Sequence, residues 1–275
     1  MQSTVGYPPY RGIEEVSYMF IDGNYFYNVL KDIIVCYLGS ETMLKLNLPQ
    51  LTYNFTKVFY YDTIPAKKNN QTEEEFEELR LEKEQFFDEL RQLDGYHVYE
   101  GITRIRRKRQ MQKGVDTMIS IDMLRHTFRK NMHKAALIAG DLDFLPLLDA
   151  LVMEGMFTTL WYSSNSISNE LLSSTDSVKR IKIAQVHQLL SKEDKIKFPI
   201  PKMLTTKIKI DEKHKLKKSG TVDNSEIDLY KVGENFKAIT KKRSNGTGTE
   251  STYTDLGKLE LYIEDFYDSK IIWNN

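Results

Sequence analysis

A single cysteine, Cys36, stands in the whole chain. One thiol excludes a disulfide framework and any multi-cysteine zinc site, and it suits a reducing cytosol, so a cytoplasmic location is expected. Cys36 lies inside Ile33-Ile34-Val35-Cys36-Tyr37-Leu38, which predicts burial rather than reactivity. Long apolar runs are missing too. None reaches the roughly 18 residues of a membrane span, and Met1-Gln2-Ser3-Thr4-Val5-Gly6 lacks the charged-then-apolar form of a secretory signal. No membrane partner is expected. Seven prolines and fourteen glycines are too few for a disordered or collagenous chain. Net charge is absent as well, with 39 basic against 39 acidic side chains.

What is present is local asymmetry and a core. Residues 72–94 hold ten acids against three bases, 104–134 ten Lys/Arg against two Asp, and 195–218 nine Lys against two acids. Clustered positive charge attracts polyanions even when the total is neutral, although solvated faces carry charge for no such reason. At 275 residues and 40% hydrophobic, the chain can bury a full-sized core without staples.

Strand-like and helix-like segments alternate over the first 190 residues. Val16–Ile21, Lys57–Tyr61, Tyr96–Glu100, Ala135–Ala139 and Phe157–Trp161 read as buried strands. Ile102–Arg109 reads as a basic extension of the third. Helices are expected near 25–38, from the capping box Thr72-Glu73-Glu74-Glu75 onward, and over 115–128, 144–154 and 169–190. Strands separated by helices imply parallel pairing. The expectation is an α/β three-layer domain over 1–190, with an acidic helical insertion at about 66–95. A Lys-rich accessory segment, partly β, follows over 191–275, with Leu259-Glu260-Leu261-Tyr262-Ile263 as one strand.

In open parallel sheets ligands bind beyond the carboxyl ends of the strands. That edge collects Asp22 after the first strand and Asp141 and Asp143 after the fourth, while Asp116 opens a helix. Each has an ordinary reading as a turn former or helix cap. Together they would repel one another unless a cation neutralised them. An all-oxygen set of this kind suits a hard ion, Mg²⁺ or Mn²⁺. The five histidines show no ligand spacing.

Phe20-Ile21-Asp22-Gly23-Asn24, then Lys113-Gly114-Val115-Asp116 continuing to Ile121-Asp122, then Ala139-Gly140-Asp141-Leu142-Asp143-Phe144 resemble, in order, the three signatures of the NYN domain. This is the LabA-like branch of the PIN-like nucleases. Leu160-Trp161-Tyr162-Ser163, Leu171-Leu172 and Asp176 resemble its last strand and helix, so the likeness covers about 15–185. It implies a PIN-like fold with a central, mainly parallel sheet and metal-dependent hydrolysis of RNA, with Asp22, Asp116, Asp141 and Asp143 as the catalytic acids that hold Mg²⁺ or Mn²⁺. Asp122 matches a further aspartate of the second motif, one that could support the metal's ligands or satisfy buried backbone. Asp176 is a lesser candidate. Many members carry asparagine three residues after the first aspartate; here Tyr25 stands there and Asn24 comes one earlier.

Arg104, Arg106, Arg107, Lys108, Arg109 and Lys113 are the expected RNA contacts, beside the proposed metal edge. Tyr25, Tyr27, Tyr60 and Tyr61 could stack on bases or fill the core. RNA, single-stranded or structured such as tRNA, is the expected partner, with a second copy or a regulatory protein as further partners. The expected activity is an endoribonuclease leaving 5′-phosphate and 3′-hydroxyl ends. A non-catalytic RNA-binding scaffold and a DNA nuclease or phosphatase at the same edge are the alternatives.

Overall fold

The computed structural model describes residues 15–64, 66–67, 70–106, 109–163, 167–207, 214–241 and 247–274, and only the backbone of 102–106, 109–113, 206, 207 and 247. The chain forms two compact units, one of residues 1–28 and 49–180, the other of 29–48 and 181–275. The grouping of 29–48 with the second unit leaves no mark in the sequence pattern.

The first unit is built on seven strands: β1 (Ser17–Asp22), β2 (Lys57–Thr63), β3 (Tyr96–Arg106), β4 (Arg109–Lys113), β5 (Lys134–Ile138), β6 (Phe157–Tyr162) and β7 (Ser177–Arg180), in the spatial order β4-β3-β2-β1-β5-β6-β7. All pairings are parallel except β3 with β4. Parallel neighbours cannot be joined by a tight hairpin, so their connections cross a face of the sheet. The crossovers carry α1 (Gly23–Lys31), α2 (Leu48–Thr52), α3 (Glu73–Arg91), α4 (Val115–Phe128), α5 (Leu145–Met153) and α6 (Asn169–Ser173).

Alternation along the strands divides the core into layers. Phe20, Phe59, Tyr61, Leu137 and Leu160 pack with Ile119 and Met123 of α4 and Leu148 and Leu151 of α5 on one face. On the opposite face Tyr60 meets Phe86 and Phe87 of α3. Across the strands the registered partners Phe20, Phe59 and His97 stack in a row, with centroids 4.9 and 5.1 Å apart. Full burial of each of the two phenylalanine rings stabilises by about 1.5–3 kcal/mol. Tyr60 and Tyr61 are core residues, 2% and 0% exposed, so neither can stack on a base. The three-layer α/β/α architecture is the expected one.

Several local expectations are corrected. The acidic helix α3, closed at its start by both arms of the Thr72–Glu75 capping box, lies between β2 and β3 and forms their crossover. The basic extension of β3 turns back as β4, with Ile102 opposite Lys113 and Arg106 opposite Arg109. The helix expected over 169–190 is interrupted by β7, whose Ser177-Val178-Lys179-Arg180 shows no apolar run because it lies at the sheet's edge. Cys36 is exposed. It lies in a wider π-helical turn, Asp32–Tyr37, that buries Ile33, Ile34 and Tyr37 instead.

The second unit is a β-sheet covered by a helix. After α7 (Ile183–Gln188) and α8 (Lys192–Lys197) come β8 (Leu204–Lys207), β9 (Lys215–Val222), β10 (Ser225–Val232), β11 (Asn235–Lys241), β12 (Thr247–Tyr253), α9 (Leu256–Tyr267) and β13 (Ile272–Trp273). The strands pair antiparallel throughout in the order β13-β9-β10-β11-β12-β8. Asp223 and Asn224, both at positive φ, make the two-residue turn between β9 and β10. Val222, Ile227, Leu229 and Ala238 pack against Leu259 and Ile263 of α9. The stretch 259–263 is therefore helix, not strand. Its alternation is equally one apolar helical face, and the cap that decides the matter is Asp255, which accepts the Lys258 N–H at 2.9 Å.

Candidate functional site

β1 stands where the strand order reverses: the chain moves outward from it to β2 and β3, then returns to pair β5 on its other side. The carboxyl ends of β1 and β5 thus open the crevice in which doubly wound sheets bind ligands. Asp22 is the last residue of β1, and Asp141 follows β5 by three residues.

Both aspartates are also helix caps. Asp22 Oδ1 accepts the Tyr25 N–H at 3.1 Å, and Asp141 Oδ1 accepts the Asp143 N–H at 3.0 Å to open the short turn Leu142–Phe144. Capping and ligand binding are compatible, because a cap uses one carboxylate oxygen and fixes the orientation of the group. Asp116 lies in the first turn of α4, reached through Gly114 at φ 94°. Only glycine takes that conformation readily, so the Lys113-Gly114-Val115-Asp116 pattern has a backbone reason.

Two of the carboxylates, Asp22 and Asp116, are shifted by their neighbours. Asp22 is half-buried, and its pKa is pushed up to about 6, first by burial and then by the charges of Asp116 and Asp62, against the lowering effect of the Tyr25 and Asn24 N–H groups. Asp116 is raised by burial and by Asp141 and Asp143. Mutual repulsion links the set in sequence: Asp22 to Asp116, Asp116 to Asp141 and Asp143. Among the described residues no three His, Cys, Asp or Glu side chains form a ready-made ion cage. The donor chemistry nonetheless fits a hard divalent ion. The set is all-oxygen and anionic, with Asp116, Asp141 and Asp143 exposed at its mouth, where an ion can keep several of its own waters.

Two glycines are fixed by crowding around these acids. A Cβ on Gly23 would lie 2.6 Å from Asp62 Oδ2 and 2.7 Å from Tyr60 Cζ, and one on Gly140 would lie 2.2 Å from Tyr25 Cε2. Tyr25 lies across Gly140, and its Oη accepts the Ser163 N–H at 2.9 Å. The tyrosine that replaces the family's asparagine therefore ties the β1, β5 and β6 ends together. Asn24 is exposed on the first turn of α1.

Two expected residues belong elsewhere. Asp122 is 8% exposed and accepts from Tyr61 Oη at 2.9 Å and Arg125 Nη1 at 2.6 Å, which fastens α4 to β2. Asp176 precedes β7 and accepts from Thr158 N and Oγ1 at 2.7 and 3.0 Å, at the amino ends of the strands, the edge opposite the acids. It leaves the site. Of the basic segment, Arg107 and Lys108 lie outside the described residues. Arg104, Arg106, Arg109 and Lys113 are backbone positions of the β3–β4 ribbon.

Sequence reasoning passed over Asp62 and Lys83. Asp62 is 2% exposed beside Asp22 and is paired with Lys83 at 2.6 Å. The signal was present: Asp62 is the last residue but one of β2 as Asp22 is the last of β1, and Asp22 and Tyr61 are registered neighbours.

Among the described residues no helix is long and apolar enough to cross a membrane. A solved structure, that of a protein of unknown function, VPA0982 from Vibrio parahaemolyticus RIMD 2210633, is similar at 17% identity and a TM-score of 0.44, over 61% of this chain and 93% of that one. No curated protein matches. The family model of the NYN domain matches residues 18–182, from β1 through β7 and well over half the chain. With its acids in family order at the reversal of the sheet, the chain belongs to the NYN domain family, a branch of the PIN-like nuclease superfamily.

Proposed function

We propose that this protein is a metal-dependent endoribonuclease that hydrolyses RNA phosphodiesters at the carboxyl edge of its parallel sheet. The observation that supports the reading is the placing of Asp22 and Asp141 beyond the carboxyl ends of β1 and β5, with Asp22 raised by burial and by Asp116, and Asp116 raised by burial and by Asp141 and Asp143. Such an arrangement is costly to the fold and favours a bound cation.

Asp22, Asp116, Asp141 and Asp143 would hold Mg²⁺ or Mn²⁺, which supplies an activated water and neutralises charge on the phosphate. The chain's own contribution is positioning. The caps at Asp22 and Asp141 set the orientation of their carboxylates, and the Tyr25–Ser163 bond holds the adjoining strand ends. The β3–β4 ribbon, which precedes α4 and its Asp116, brings Arg104, Arg106, Arg109 and Lys113 as phosphate contacts, with Arg107 and Lys108 between them in sequence. Attack of water on phosphorus, with the P–O3′ bond broken and the 3′-oxygen leaving as a hydroxyl, leaves a 5′-phosphate and a 3′-hydroxyl without a covalent enzyme intermediate. The preference for RNA over DNA comes from family analogy. Structured RNA such as tRNA is in scope, and a second copy or a regulatory protein would govern access.

The test is cleavage of end-labelled single-stranded RNA, tRNA and DNA in Mg²⁺, Mn²⁺ or EDTA, with the product ends identified. Metal-dependent cutting of RNA to 5′-phosphate ends is expected. A 2′,3′-cyclic phosphate would overturn the mechanism, since that end arises from attack by the neighbouring 2′-hydroxyl. Binding of RNA without cleavage in any divalent ion would make the protein a binding module.

A further inference from the structure

Beside the acidic edge lies an ion pair between the buried Asp62 and the half-buried Lys83, which none of the family motifs contains. Asp62 Oδ2 accepts from Lys83 Nζ at 2.6 Å and from Tyr60 Oη at 3.1 Å, while Oδ1 accepts the Thr63 N–H at 2.7 Å. Lys83 reaches in from α3 among the rings of Tyr27, Phe86 and Phe87, 5.8, 5.9 and 5.4 Å from their centroids. Those walls hold the ammonium by cation–π attraction. The pair is pressed against the turn that carries the first catalytic candidate, since Asp62 Oδ2 occupies the space beside Gly23 that any larger residue would need.

A buried ion pair is a poor stabiliser, because desolvation cancels much of its attraction and apolar residues replace it with little loss. Its position is the informative feature. Asp62 is a fifth carboxylate at this edge: it adds to the repulsion around Asp22 and, left unpaired, would offer itself as a further ligand. Lys83 sets a positive charge against that carboxylate and takes up one of its oxygens.

Resting on the metal-dependent reading above, we propose that Lys83 is a resident counter-ion of the site. It keeps Asp62 as a positioning residue for the Asp22–Gly23 turn, withheld from the divalent ion, and so sets how tightly and in what number such ions bind. The pair acts through Asp22 and touches no substrate.

Calorimetric titration of the full, metal-free chain with Mn²⁺ tests this without reference to activity. Lys83→Met removes one positive charge, and the edge is expected to bind Mn²⁺ about ten-fold more tightly or to take a further ion. Asp62→Asn leaves the ammonium unbalanced, and affinity is expected to fall about ten-fold. The two substitutions combined restore neutrality and the wild-type isotherm. Lys83→Gln keeps a donor for Asp62 and replaces the methionine variant if that chain does not fold. Opposite shifts in the two single variants support the proposal. Shifts in the same direction, or none, overturn it, because a merely structural pair has no reason to change sign. A wild-type chain that binds no Mn²⁺ brings down the metal-dependent reading and this inference with it; a binding wild type with unmoved variants brings down this inference alone.

Discussion

The two edges of the parallel sheet use aspartate in opposite ways. At the amino edge Asp176 is met by a backbone N–H and a hydroxyl of Thr158, and its charge is spent on joining two strands. At the carboxyl edge the main electrostatic company of Asp116, apart from its own burial, is Asp141 and Asp143. Asp176 is satisfied by donors, whereas Asp116 is set against its neighbours, a conflict that a bound cation would relieve on the proposed reading.

Substitutions can break or sharpen that contrast. The largest effect is expected from Asp141→Asn: cleavage should fall by at least about 10²-fold while circular dichroism stays that of the wild type, because asparagine caps as well as aspartate. Loss of the fold along with activity would make Asp141 a structural residue like Asp176. Gly140→Ala forces the Tyr25 ring out of its place, and chemical denaturation should record a loss of about 2–3 kcal/mol. At the opposite edge, Asp176→Ala should cost about 1–2 kcal/mol in the same assay, with the cleavage rate per folded molecule unchanged. The smallest shift has the opposite sign. Asp22→Asn keeps the cap and removes a repelled, half-buried charge, so the metal-free chain should gain about 1 kcal/mol, and added Mn²⁺ should stabilise wild type but much less this variant.

The architecture of the first unit was legible because its strands are buried runs punctuated by Asp and Gly, and because its motifs fall at strand ends. α4 begins and ends at the residues expected, Val115 and Phe128. Legibility failed at β7 and at the β3–β4 ribbon, where strands at an edge carry polar and basic residues that look like loop or helix. It failed at α9, where a five-residue alternation fits both periods. At the candidate site, spacing assigned acids to the carboxyl edge but said nothing of what each one touches. Asp122 and Asp176 differ from Asp116 and Asp143 in what surrounds them in space: beside Arg125, three residues on, Asp122 meets Tyr61, and Asp176 meets Thr158, and those two distant partners are set by tertiary packing. Asp62 and Lys83 lie 21 residues apart, and nothing local announces their pairing.

The central place of β1 has a consequence in time. Ser17 is registered with Lys134, 117 positions later, and such distant closures form late because their entropy cost precedes any reward. During synthesis Asp22 is made early, but the crevice has only one wall until β5 has followed. A chain still threading from the ribosome, a machine made largely of RNA, therefore carries no assembled acidic edge until residue 143 has been added.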